Sequence, residues 1–196
     1  MPDGLQWIAD GGFDHFCLTF AKGISPQELV RRMGGNPENM SSPVSLGEVE
    51  RLDGEQGMMA FVGACHEWVF AFEPWSAEGV EEDVIDAVAD GTEAVTLFSS
   101  FTAPSTFSYV KNGVLVSQFE IHDVDSGAIL GENPGFLIPG MKQAGFLLPS
   151  GESADPGDPD RCALRLGEEV FGLSVPPINA SLQGLSVVSL NPAPFA

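Results

Sequence analysis

The stretch TFSYVKNGVLVSQFEIH (106–122) holds two apolar-rich runs joined by Asn112-Gly113. A type I′ turn needs positive φ at both central residues, and Asn-Gly supplies this readily. The segment therefore predicts a β-hairpin, 106–112 against 114–122. Working upstream, EAVTLFSSF (93–101) reads as a strand. MMAFVGAC (58–65) and EWVFAFEP (67–74) read as a second hairpin that turns near Cys65 and His66, with Trp68, Phe70 and Phe72 on one face. In FCLTFAKG (16–23), Phe16, Leu18 and Phe20 alternate with Cys17, Thr19 and Ala21. Period two puts each apolar set on one side of its strand, so the aromatic sides of these strands are expected to face one core.

Helices fill the intervals. In SPQELVRRMGG (25–35), Ser25 fits an N-cap, Pro26 the first helical position and Glu28 the capping-box carboxylate, and Gly34-Gly35 stops the helix. Ser45 and Glu48 open a second capping box in SLGEVERLDG (45–54). VEEDVIDAVADG (80–91) carries Val80, Val84, Ile85, Ala87 and Val88 at helical spacing. A short helix is expected around 136–144, with Pro139 near its start. DRCALRLGEEVFG (160–172) reads as a helix capped by Asp160, with Leu164, Val170 and Phe171 available to dock on the core; LSVVSL (185–190) suits an edge strand. The predicted class is α+β: a mostly antiparallel sheet with helices packed on one face, the aromatic one. Residues 1–149 form the domain, SGESADPGDPD (150–160) is an acidic Pro/Gly loop or linker, and 161–196 return a helix and an edge strand to the same domain.

A chain of 196 residues suits one domain, and 43% hydrophobic against 18% charged residues allows a sizeable core. Lys and Arg number 8 against 28 Asp and Glu, a net charge of −20. Nucleic acid and anionic membranes reward Lys and Arg, so both are disfavoured as partners and a basic partner is favoured. No apolar run reaches the roughly 18–20 residues of a membrane span, and the N-terminus carries acids with no early base, unlike a signal peptide. Cys17, Cys65 and Cys162 are odd in number and widely spaced, which speaks against a disulfide framework and for a cytoplasmic protein with reduced thiols.

Charge placement singles out one region. Between Arg51 and Lys111 lie eleven acids and no Lys or Arg. On the 80–91 helix, Glu82, Asp83, Asp86 and Asp90 share the face opposite the valines. The helix dipole favours acids at the N-terminus but not Asp90 at the other end. A row that accepts this repulsion is a candidate surface for a basic partner, and it also fits an ordinary solvated face. Trp75, in the loop after the 67–74 strand, is a candidate aromatic anchor for that partner.

Other constellations are weaker. Cys65-His66-Glu67 sets a nucleophile beside a base, but neighbouring strand residues point to opposite faces, so no catalytic residue is assigned. His15, His66, His122 and the cysteines lack the paired spacing of a zinc site, and His15 and His122 are expected to pair with the adjacent acids Asp14 and Asp123. In HDVDSGAILGE (122–132), Asp123, Asp125 and Glu132 miss the calcium-loop spacing, with Gly127 at position 5 and Glu132 at position 10. No metal or cofactor is expected. Phosphate-loop, dinucleotide, nucleophile-elbow and zinc-protease motifs do not occur in the sequence.

CLTFAKGISPQELVRRMGG, EWVFAFEPWSAEGV and GTEAVTLFSSF…FSYVKNGVLVSQFE, in that order, resemble an uncharacterised family of small acidic actinobacterial proteins known only as a domain of unknown function. The resemblance spans about residues 13–147. It implies a bacterial cytosolic α+β domain and supplies no catalytic residues. Two functions are expected from the sequence. The first is a non-enzymatic protein-binding module, an immunity or inhibitor protein or a DNA mimic, that turns an acidic face to a basic partner. The second is a small-molecule-binding or enzymatic domain with a pocket between sheet and helices. Converging polar side chains in a pocket favour the second, and a featureless acidic face the first.

Overall fold

The computed structural model describes residues 4–13, 15–43, 45–56, 58–124, 129–178 and 182–190. Among the described residues seven strands, β1 (His15–Lys22), β2 (Met59–Cys65), β3 (Trp68–Glu73), β4 (Glu93–Ser100), β5 (Thr106–Lys111), β6 (Val114–Glu120) and β7 (Ser186–Ser189), form one sheet in the order β6-β5-β4-β1-β3-β2-β7. Every pairing is antiparallel. The helices are α1 (Gln6–Asp10), α2 (Pro26–Arg32), α3 (Leu46–Gln56), α4 (Glu82–Ala89), α5 (Ile138–Ala144) and α6 (Pro159–Phe171). The class is α+β.

Both expected hairpins form. Asn112 and Gly113 take φ of 52° and 73°, the pair of positive values that a type I′ turn requires. The β2–β3 turn is the two-residue His66-Glu67, since Cys65 pairs with Trp68 and His66 has φ 53°. The 185–190 segment pairs with β2 at the sheet edge.

Phe16, Leu18, Phe20, Trp68, Phe70 and Phe72 are all buried in one aromatic core. α1, α3, α5 and α6 close it, through residues such as Ile8, Val49, Met141 and Leu166. The helices do not stop at that face. Ala21, Val69, Ala71 and Ala94 on the opposite face are covered by Leu29 and Val30 of α2 and Val88 and Ala89 of α4. The expectation of helices on the aromatic face alone is corrected for a steric reason. Where α2 and α4 lie, the second set of strand residues includes the small apolar Ala21, Ala71 and Ala94, so a helix can lie close to the sheet and bury them.

Three local readings also change. Residues Glu78–Val80 form a separate 3-10 turn, so α4 begins two residues later than the valine spacing suggests. α6 is capped by Asp158, whose side chain accepts from the Arg161 N–H at 3.0 Å, because Pro159 takes the first helical position. Asp160, freed from capping, meets His122 (Nε2 to Oδ1 3.1 Å), so that histidine has an acid partner on α6. Of the α6 residues expected on the core, Leu164 is fully buried and Phe171 stacks among Trp68, Phe107 and Tyr109, but Val170 is 36% exposed. α1 has no capping side chain and no signal in the sequence pattern; the Trp7 indole fixes it by donating to the Val175 carbonyl at 2.8 Å.

Candidate functional site

The site starts from a buried acid. Val69, Ala71 and Glu73 fall on the α2/α4 face of β3 by period two, and Pro74 ends the strand there. The Glu73 carboxylate is fully buried and accepts three hydrogen bonds from the loop that follows: Ser76 Oγ at 2.7 Å, Glu78 N–H at 2.8 Å and Gly79 N–H at 3.0 Å. Burial pushes its pKa up, and those three donors pull it back. Beside it on β1 sit Cys17, its cross-strand partner, and Thr19. Burial first, and then the Glu73 carboxylate, push the Cys17 thiol well above its ordinary range. Cys17 is thus a neutral, enclosed thiol and no nucleophile. The cluster works as an anchor: it holds the 74–79 loop flat on the sheet and so fixes where Val80 and α4 begin.

α4 turns Val84, Ile85, Val88 and Ala89 toward the sheet and leaves Glu82, Asp83 and Asp86 exposed. Its C-terminal carbonyls meet a cation from another element. Arg32 Nη1 donates to the carbonyls of Ala87 at 3.3 Å, Val88 at 3.1 Å and Asp90 at 2.6 Å, while its Nε donates to Glu28 at 3.0 Å. A base from before residue 51 thus meets the backbone carbonyls at the end of α4, next to Asp90.

Between α4 and the β5–β6 hairpin lies a groove of about 330 Å³. Thr19, Thr96, Ser108 and Gln118 are successive cross-strand neighbours, and the last two form the groove floor. Gln118 Nε2 donates to Ser108 Oγ at 3.0 Å. Val80, Ile85, Val110 and Leu115 are its apolar walls, and Glu82 and Asp86 bring carboxylates to it from α4.

The residues singled out in the sequence thus separate. Glu82 and Asp86 line the groove; Asp83 is exposed on α4 without lining it; Asp90 is exposed just past the helix end. Trp75 is in a loop, but its ring is half-buried against Phe61, with centroids 6.5 Å apart, which leaves less of the indole for an anchor than expected. Cys65 is buried while His66 and Glu67 are exposed, and Glu67 pairs with Lys22 at 3.4 Å. Cys17, Cys65 and Cys162 are free thiols. Among the described residues no cluster of His, Cys, Asp or Glu could hold a metal; Asp125 and Gly127 of the calcium-like stretch lie outside the described residues. Ser108, Gln118 and Val80 were missed. The hairpin alternation sets Ser108 and Gln118 on its polar side, but nothing in the spacing shows that α4 packs beside them.

Fold and site together define an α+β protein with an acid-rimmed groove on the second face of its sheet. The chain belongs to a family of unknown function (DUF6461), whose pattern matches residues 5–179. That span takes in the 150–160 loop and α6, which the sequence resemblance had left out. No curated protein and no solved structure matches the chain. Among the described residues no helix is long and apolar enough to cross a membrane.

Proposed function

We propose that the protein is a non-enzymatic, cytoplasmic protein-binding module that receives a basic partner on α4 and the adjoining groove, as an inhibitor or immunity protein would. One observation carries this reading: Glu82 and Asp86 stand on a concave surface with apolar walls, where a cationic side chain gains both charge and contact area. A flat acidic face offers charge alone. The groove's converging Ser108 and Gln118 equally favour a small cationic ligand, the second reading.

Association rates with a fluorescent Lys/Arg-rich peptide, followed across salt concentrations, test the proposal. The double reversal Glu82→Lys/Asp86→Lys should slow association by about tenfold and flatten its salt dependence. The control reversal Glu50→Lys/Glu169→Lys, at exposed positions on α3 and α6 and of the same net charge, should change the rate far less. Equal effects of the two variants would mean that only overall charge matters and would overturn the reading. If the α4 reversal also abolishes binding of small alkylamines while the peptide rate is unchanged, the small-ligand reading stands instead.

A further inference from the structure

We propose that the groove receives the guanidinium group of a single arginine on the partner, an inference that rests on the protein-binding reading above. The argument is an inventory of donors and acceptors. Gln118 spends one of its two amide N–H groups on Ser108 and keeps the other, and its carbonyl oxygen is an acceptor at the floor. Glu82 and Asp86 make no hydrogen bond or ion pair with the described residues, so both carboxylates are available at the rim. Among the described residues no Lys, Arg or His lines the groove. The site therefore offers acceptors at two depths and asks for a ligand that is mostly donor.

An ammonium and a guanidinium both answer that description by charge, but they differ in shape and hydration. Lysine carries a compact, strongly hydrated point charge, which favours staying in water beside Glu82 and Asp86 at the rim. Arginine carries a flat, weakly hydrated fork with five N–H donors. Its faces can lie against Ile85, Val110 and Leu115 while its edges reach a rim carboxylate and the Gln118 oxygen together. Apolar walls around an acceptor floor penalise the ammonium for lost hydration and accept the planar cation. Glu82 and Asp86 are one helical turn apart, so their side chains are neighbours on the helix surface and both can meet one fork.

The test uses the full-length protein and three peptides that differ only at one central residue: arginine, lysine or citrulline, the last being an uncharged isostere of arginine. Binding is read from amide shifts in NMR titrations. The arginine peptide should bind at least about fivefold more tightly than the lysine peptide, and citrulline more weakly than both, with shifts at Ser108, Val110 and Gln118. Gln118→Leu should reduce arginine to the level of lysine, and Gln118→Glu, which keeps an acceptor and checks that the hairpin tolerates substitution, should preserve the preference. Equal affinity for arginine and lysine, or a preference that survives Gln118→Leu, overturns the arginine inference and leaves the protein-binding reading intact, provided Glu82→Lys/Asp86→Lys still weakens both peptides. Binding by neither peptide overturns both.

Discussion

Gly79 shows how one residue sets the groove. Its backbone is not in the left-handed region that favours glycine; what it lacks is room. A Cβ there would lie 2.0 Å from Thr19 Oγ1, 3.1 Å from Cys17 Sγ and 3.1 Å from Glu73 Oε1. The close approach follows from the Glu73 anchor, which draws the Gly79 N–H to 3.0 Å. Gly79→Ala should cost about 3 kcal/mol, the upper range for overpacking, because the obstructing hydroxyl sits on a rigid strand. Thr19→Ala removes the obstruction, so the double variant should recover more than about 1 kcal/mol relative to the sum of the singles. Urea denaturation of the four proteins measures this. Strict additivity would show that Thr19 is not the reason for a glycine at 79.

At the scale of elements, α4 is short, rich in acids and without a capping side chain at its N-terminus. Much of its support comes from α2. The Arg32 guanidinium satisfies carbonyls at the C-terminus of α4, where a cation also meets the negative end of the helix dipole. The same side chain's hydrogen bond holds the Glu28 carboxyl below its usual range. Arg32→Met should therefore cost about 1–2 kcal/mol, and Arg32→Lys should restore only part, since one ammonium cannot span three carbonyls and a carboxylate in that fork geometry. Thermal unfolding reads the effect as a loss of roughly 2–8 °C. Full recovery with lysine would assign the effect to charge alone. This contact also marks the boundary of what the sequence makes legible. Period-two and capping signals located all seven strands and the starts of α2 and α3, because those patterns are local. They could not show that Arg32 crosses to Asp90, that Glu73 folds the 74–79 loop back on β1, or that Ser108 and Gln118 meet α4. Each depends on cross-strand or cross-helix placement with no trace in spacing. The acidic row was visible as charge, but only the hairpin beside it turns two of its members, Glu82 and Asp86, into a groove.

Across the whole molecule the excess of acids exceeds what pairing can neutralise. Lys22, Arg31, Arg32, Lys111 and Arg161 all sit in ion pairs, yet the net charge remains −20. Those pairs are largely exposed and each contributes little, whereas the unpaired acids repel one another across the folded surface. Salt screens both, and at this charge imbalance the repulsion is the larger quantity. Raising ionic strength from about 0.01 M to about 0.15 M shortens the screening length from about 30 Å to about 8 Å, and the melting temperature should rise. Lowering pH acts in the same direction through Glu73. Its folded pKa is raised, so the stability linked to its protonation is fully present below the ordinary carboxylate range and is lost as pH climbs through the folded value. Glu28 has the opposite sign: its folded pKa is lowered, and its contribution is lost as pH falls through that value. Stability should therefore increase as pH falls through the raised folded value of Glu73 and turn over only where paired carboxylates such as Glu28 begin to protonate. Melting curves over a grid of salt and pH, for the wild type and Glu73→Gln, separate the two contributions. The salt effect should be the same in both proteins. The stability advantage of wild type over Glu73→Gln should shrink as pH rises, because only the wild type must keep a carboxylate buried. A melting temperature that falls with added salt would mean that ion pairs outweigh repulsion, and an advantage that widens with pH would mean that the loop donors more than compensate the burial of Glu73.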